Sequence, residues 1–420
     1  MMADTVPALA AYWYLTTLRK FSRETIPSLH SVTDLFTTTS MQLITASSYA
    51  AIAPSKLCLL AIPAMLHTAR MNPHYVSPQT TALLNQTLHS QGWNLLERRE
   101  SNTGYISILE NLQMQYRVMR CDHSLLGGEW LLNSHRTSQG ITIAEPIYAV
   151  FEILEAVRLI EKPGVRKADQ QSNALVIGLG IGTAPKALMA HKINTTVVEL
   201  DPVVHEFALR YFDLPPTHEA VLENAATWVN SLARQEAGRS FDYIIHDVFT
   251  GGAEPLPLFT EEFLQGLKSL LRDPNGVIAI NYAGDLAIES TKQVLNTINT
   301  VFDRRCRIFR DTPAESSSSD ESETDFLNMV IFCYPSSSEP ITFRQPVEAD
   351  YLGSQSRRHY LLPRPELELR FPSTEETERL KTKTLTTSNL REFEKKQKKS
   401  ARRHWEIMRT VVPAAVWENW

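Results

Sequence analysis

The run Ala174-Leu175-Val176-Ile177-Gly178-Leu179-Gly180-Ile181-Gly182, followed by Val197-Val198-Glu199-Leu200-Asp201, constrains this chain more than any other feature. An unbroken apolar run fits a strand buried on both faces. Its abrupt stop in alternating glycines marks a tight turn. Glycine has no Cβ, so the backbone there can approach a bound molecule closely. The second apolar run carries a carboxylate to the same edge. This spacing suits a nucleoside, with Gly178, Gly180 and Gly182 against the sugar and its tail and Glu199 to the ribose hydroxyls.

The chain has 420 residues, 43% of them hydrophobic, enough for one large domain with appendages. A formal net charge of −5 argues against the broad positive field of a nucleic-acid binder. Cys58, Cys121, Cys306 and Cys333 are scattered, with no C-x-x-C pair. Neither a zinc site nor a disulfide framework is indicated, and a reducing, cytoplasmic setting is the default expectation.

Residues 1–75 form an irregular apolar leader. Residues 41–69 are mostly apolar, but Pro54, Lys56 and Pro63 interrupt them. A membrane-spanning helix needs about 20 predominantly apolar residues. The cleanest run here, 57–66, has Pro63 inside it. The segment reads either as weakly membrane-associated, or as a buried helical hairpin, or as a loose leader. The apolar stretch starts too late for a secretory signal.

Residues 91–132 read as a small region of antiparallel strands at 93–98, 104–110 and 116–122. Apolar positions Ile147, Val150, Phe151, Leu154 and Val157 predict a helix over 144–161, ended by Pro163-Gly164. Strands and helices then alternate. Strands are expected at 174–178, 195–200, 219–222, 242–247 and 276–281, and helices at 184–191, 203–212, 225–236, 258–271 and 285–302. Two closing strands, 306–310 and 326–334, flank an acidic serine run, 316–323, which reads as a solvated loop. A doubly wound α/β sheet with a closing strand pair over 144–335 suits the seven-stranded class I S-adenosylmethionine-dependent methyltransferase type.

The segment 345–420 reads as a polar, partly helical tail. Ser373-Thr374-Glu375-Glu376 has capping-box spacing. Lys395, Lys396, Lys398 and Lys399 with Arg402 and Arg403 read as a solvated helix face. Trp405, Trp417 and Trp420 predict docking onto an apolar surface.

In open α/β sheets, ligands sit at the carboxyl ends of the strands. Asn224 follows the third strand, placed either to bond an adenine edge or to cap the next helix. Asp247 ends Phe241-Asp242-Tyr243-Ile244-Ile245-His246-Asp247. A carboxylate leaving a buried strand needs a partner, and here the substrate is the expected one. His246, on the opposite face by strand alternation, is expected to be packed.

Residues 92–335 resemble the spermidine synthase family. The matching stretches are Gly104-Tyr105-Ile106-Ser107-Ile108-Leu109-Glu110, residues 116–122, Glu145-Pro146-Ile147-Tyr148, residues 176–182, residues 197–201, Tyr211-Phe212-Asp213-Leu214-Pro215, residues 243–247 and Leu258-Phe259-Thr260-Glu261-Glu262-Phe263. The segment His67-Thr68-Ala69-Arg70-Met71-Asn72-Pro73-His74 resembles a divergent fungal branch of that family, whose members often carry membrane segments.

The resemblance implies that Gly178, Gly180, Gly182, Glu199 and Asn224 hold a nucleoside donor, either S-adenosylmethionine or its decarboxylated form. It implies Asp247 as the catalytic aspartate and Tyr148 as the substrate-side tyrosine. It implies no metal. The departures are specific. Ile181 stands where the family's aspartate holds the donor's amine, and Val248-Phe249-Thr250-Gly251 replaces a Ser-Ser-Asp-Pro-like stretch. Asn224 replaces the acid near adenine. Carboxylates that would grip cationic groups are thus missing, although a polyamine needs them to offset desolvation.

The expected reaction is transfer of an aminopropyl or related alkyl group from a sulfonium to an amine acceptor by in-line displacement, with Asp247 orienting the amine. The alternatives are methyl transfer from S-adenosylmethionine and a non-catalytic scaffold that keeps the fold. Expected partners are a small-molecule amine and no nucleic acid. A homodimer and weak membrane association through residues 41–69 stay open.

Overall fold

The computed structural model describes residues 38–52, 55–141, 143–161, 168–234, 239–249, 254–313, 326–336, 340–372 and 383–418. The acidic serine run, the Ser373 capping box and Trp420 lie outside them. So do the side chains of Lys395, Lys396, Lys398 and Lys399.

Two helices, Thr38–Ile52 and Ala61–Met71, lead the chain. They expose Leu43, Ile44, Tyr49, Ile52, Ile62, Leu66 and Met71. Among the described residues, no helix is long and apolar enough to cross a membrane. Helix Pro78–His89 follows, started by a Ser77 cap and a proline in its first turn.

Next comes a five-stranded antiparallel sheet, β1 (Trp93–Ser101), β2 (Gly104–Asn111), β3 (Tyr116–Cys121), β4 (Ser124–Trp130) and β5 (Glu145–Pro146). The first three strands match the expected alternation. Strand β4, Ser124-Leu125-Leu126-Gly127-Gly128-Glu129-Trp130, was not foreseen, because two glycines break its pattern. Pairing of Glu129 with Pro146 and Trp130 with Glu145 draws 145–146 into the sheet. The helix expected over 144–161 therefore begins at Val150, and its second half, Glu155–Leu159, tightens into a 3₁₀ turn.

The second sheet holds β6 (Asn173–Ile177), β7 (Asn194–Glu199), β8 (Glu219–Leu222), β9 (Tyr243–His246), β10 (Val277–Asp285), β11 (Cys306–Arg310), β12 (Phe326–Cys333) and β13 (Glu368–Leu369). Their order is β13-β11-β12-β10-β9-β6-β7-β8. Strands β6 to β10 pair in parallel, and β12 inserts antiparallel between β10 and β11. This is the seven-stranded class I methyltransferase sheet, extended at its edge by β13. Helices Thr183–Ala190, Pro202–Tyr211, Ala225–Ala233, Glu261–Leu270 and Glu289–Val301 supply the crossovers. Asp201, Asn224 and Thr260 cap three of them.

Apolar clusters fill both faces of this sheet. One is built on Ile177, Ile244, Phe263 and Ile298, the other on Val176, Ile245, Leu154 and Phe332. His246 packs in the first, its ring 4.8 Å from that of Phe259, and burial lowers its pKa to about 3.

Much of the segment after 340 folds back onto the domain. Arg357 forms a buried ion pair with Glu155 at 2.7 Å, and Ser354 and Ser356 donate to Glu145 and Glu152. After the helix Leu390–Val411, a short helix, Ala414–Glu418, turns back, and its Val416 and Trp417 carbonyls accept from the buried Arg120 guanidinium, at 2.6 and 3.3 Å. Trp405 and Trp417 meet edge to face at 5.2 Å, in a cluster with Trp93, Leu84 and Leu88. Cys306 and Cys333, read from the sequence as separate thiols, are joined in a disulfide because β11 and β12 place them directly opposite each other.

Candidate active site

Strand register assembles the site. Ile177 of β6 is opposite Val198 of β7 and His246 of β9. The next residues, Gly178, Glu199 and Asp247, therefore emerge at one level. His246 also pairs with Ile280, so Asn281 of β10 lands beside Asp247. Glu199 pairs with Leu222, which sets Asn224 two residues beyond the same edge.

These ends border a cavity of about 360 Å³. Its walls include Gly178, Leu179, Gly180, Glu199, Asn224, Asp247, Asn281 and Tyr148. Leu125 and Leu126 of β4 close another side, and His404, Ile407, Met408 and Val411 of the C-terminal helix close a third.

Two glycines are required by close approach. Gly178 has φ +84°, and a Cβ on it would lie 2.0 Å from the Asp247 carbonyl oxygen. A Cβ on Gly180, at φ +53°, would lie 2.4 Å from the Leu126 carbonyl oxygen. Gly182 is set back from the cavity. It opens helix Thr183–Ala190 and packs against Leu214.

Glu199 has two tasks. Its carboxylate accepts from the Leu179 and Asp201 amides, at 2.9 and 2.8 Å, which braces the glycine turn. It also faces the cavity, and burial raises its pKa to about 7. Asn224 caps helix Ala225–Ala233, its oxygen accepting from Ala226 at 2.9 Å, and its exposed side chain still borders the cavity. Both roles weighed for it from sequence are compatible.

Asp247 makes no ion pair among the described residues. It accepts from the Asn281 amide at 2.8 Å, and burial raises its pKa to about 6. Tyr148 reaches the same space from the segment after β5, its ring 6.2 Å from that of Phe151. Its hydroxyl is buried without a hydrogen-bond partner among the described residues, and burial pushes its pKa well up. The Asn281 oxygen likewise has no partner among the described residues. Polar atoms left unpaired on the wall of a cavity are what a site awaiting a polar ligand shows.

Ile181 is turned away. It packs with Ile106, Ile108, Phe207 and Phe212 between the two sheets, and so places no polar group beside the glycine turn. Asp201 has a purely structural task. It accepts from Ser101 at 2.5 Å and from the Thr103 hydroxyl at 2.6 Å, tying the β1–β2 turn to the core.

The sequence reading missed Asn281, Asn328, Phe326 and His404 on the cavity wall. Asn281 was detectable, as an amide within the apolar strand Val277-Ile278-Ala279-Ile280-Asn281-Tyr282. His404 was not, because nothing local announces that its helix returns to the cavity. Among the described residues, no cluster of three or more His, Cys, Asp or Glu side chains is arranged to hold a metal.

The arrangement fits a nucleoside donor: a glycine turn open to close approach, an acid at the ribose position and an amide beyond it. A family profile described as spermine/spermidine synthase domain matches residues 154–312. A protein of Emericella nidulans named N-terminal histidine N-methyltransferase is 45% identical over 425 residues, covering 100% of this chain and 75% of its own length. A polyamine aminopropyltransferase of Vibrio vulnificus is 37% identical over 109 residues, 26% of this chain and 36% of its own. Among solved structures, a probable spermidine synthase from Corynebacterium glutamicum superposes with a TM-score of 0.48 at 14% identity, covering 69% of this chain and 95% of its own.

Proposed function

The chain belongs to the spermine/spermidine synthase family, in the divergent fungal branch of the Emericella nidulans protein, and we propose that it moves a methyl group from S-adenosylmethionine to the amino nitrogen of a peptide that begins with histidine. This favours the methyl alternative over aminopropyl transfer.

One observation carries the choice. Among the described residues lining the cavity, the carboxylates are Glu199 and Asp247. Glu199 lies at the nucleoside end, so a single anion, Asp247, faces the acceptor. A diamine has a second ammonium to desolvate, and a lone buried charge of that kind costs several kcal/mol. A single amine matches a single carboxylate. The burial of Ile181 agrees, since no acid stands at the donor-tail position.

When bound, the donor supplies a methyl group on a sulfonium that carries its own leaving group. Gly178, Leu179 and Gly180 offer backbone against its sugar and tail, Glu199 accepts from the ribose hydroxyls, and Asn224 borders the base. Asp247, held in place by Asn281, accepts a hydrogen bond from the acceptor nitrogen and turns its lone pair toward the glycine turn. A peptide amine ordinarily titrates near pH 8, so part of it is neutral under ordinary conditions. With its pKa near 6, Asp247 is ionised there and ready to take the proton the nitrogen sheds. Burial of Tyr148 and of the β4 leucines keeps water from the reacting atoms.

The test pairs two donors with two acceptors. The enzyme is incubated with S-adenosylmethionine or its decarboxylated form, and with a His-first peptide or putrescine, and products are read by mass spectrometry. A methylated peptide is expected. An aminopropylated putrescine, with no methylated peptide, would sink the proposal.

A further inference from the structure

Beyond Asp247 the cavity continues across β10 to β12, away from the nucleoside end. Asn281 and Ala283 lie on one face of β10, two residues apart. Ala283 pairs with Asn328, and Asp285 with Phe326. Ala283, Asn328 and Phe326 all line the cavity. From Glu199 on β7 to Asn328 on β12 is four strand spacings, about 19 Å at 4.8 Å each. This end is therefore beyond the reach of the base and ribose, and it lies on the acceptor's side of Asp247.

The C-terminal helix roofs it with His404. That ring is 8% exposed and lies between Phe249 and Phe326, with centroids 4.6 and 5.7 Å away. The structure gives neither ring nitrogen a hydrogen-bond partner among the described residues, and Nδ1 is fully buried. A buried nitrogen left unpaired is unfavourable, and a ligand that bonds to it recovers that loss. The helix is well anchored. Arg403 forms an ion pair with the buried Asp285, and Arg120 holds the turn beyond the helix. His404 is thus presented in a fixed position.

We propose that His404 is an acceptor-binding residue, which with Phe249, Phe326 and Asn328 forms the slot that receives the side chain of the acceptor's first residue. The inference rests on the methyl-transfer reading above and extends it to specificity. A neutral imidazole offers one donor and one acceptor, the complement of another imidazole. Burial holds the His404 pKa near 4, so the ring is neutral at physiological pH. The flanking phenylalanines suit a planar side chain. His404 lies outside the matched family domain, residues 154–312. The shared domain would then supply the chemistry, and the C-terminal helix the choice of acceptor.

The experiment compares the full chain with His404→Phe, which keeps the aromatic stack, and His404→Asn, which restores one donor and one acceptor. Steady-state methylation is measured on peptides beginning with His, Phe or Ala, with S-adenosylmethionine affinity and thermal transition measured alongside. In His404→Phe, KM for the His-first peptide should rise at least tenfold while kcat stays within threefold and donor affinity is unchanged. His404→Asn should recover part of that loss, and the preference for His over Ala should collapse in the Phe variant. Unchanged KM and preference in His404→Phe would overturn the inference and leave the methyl reading intact. Loss of donor binding or of folding in both variants would also overturn it, assigning His404 to the scaffold. A wild-type enzyme that methylates none of the peptides would overturn the methyl reading, and this inference with it.

Discussion

Replacing Asp247 by Asn should abolish transfer and yet stabilise the fold. Desolvation raises the half-buried Asp247 carboxyl from the ordinary 3.8 to about 6. A shift of about two units corresponds to about 3 kcal/mol at pH 7. Its direction sets the sign. A raised carboxyl pKa means the ionised form is disfavoured in the folded state, so the penalty grows as pH rises from 3.8 toward 6 and is constant above. The side chain is half-buried and opens onto the cavity, so solvent there reduces the full figure to about 1–2 kcal/mol. Asparagine removes the charge and keeps an oxygen for the Asn281 amide. The measurement is thermal unfolding of both proteins at pH 7.5, 5 and 4. Asp247→Asn should melt a few degrees higher at pH 7.5, and the gap should close toward pH 4. Transfer should fall at least 100-fold, with donor affinity within twofold of wild type. A variant that is less stable at every pH and still turns over would refute both the buried-charge argument and the role of Asp247.

Three further outcomes follow from the geometry. Glu199 titrates near 7, so donor affinity should weaken about tenfold for each pH unit below that as the acceptor oxygen is protonated; calorimetry from pH 8 to 5.5 should show this slope, and Glu199→Gln should abolish it. Gly180→Ala forces a Cβ against the Leu126 carbonyl at a left-handed φ, and should cost roughly 3 kcal/mol in urea unfolding together with most donor binding. Replacing both Cys306 and Cys333 by Ser opens a closure spanning 27 residues, which chain entropy values at about 3.5 kcal/mol. Because that bond sits at the end of β12 away from Phe326, the double variant should lose stability and keep its KM values.

The glycine-turn half of the candidate site was legible because its signals are local. A buried parallel strand must be apolar throughout, and a turn that lets Asp247 and Leu126 pass at backbone distance must be glycine. Glu199 and Asp247 stood out as charges at the ends of such strands. What local pattern missed came from pairing. The return of Glu145-Pro146 to β4 shortened the expected helix, and the facing of Cys306 with Cys333 made one disulfide from scattered thiols. The tail's polar composition concealed Arg357 and Ser354, whose partners Glu155 and Glu145 lie some two hundred positions earlier.

The order of apolar runs and breaks therefore determined the sheet, its switch point and the glycine-turn end of the cavity. Periodicity and turn chemistry act over a few residues and need no knowledge of distant chain. Tertiary structure decided which face the C-terminal helix covers, and so placed His404 on the wall of the cavity that Asp247 also borders. Buried Arg120 and the Arg403–Asp285 pair hold that helix, and contacts between residues so far apart in sequence have no local signature.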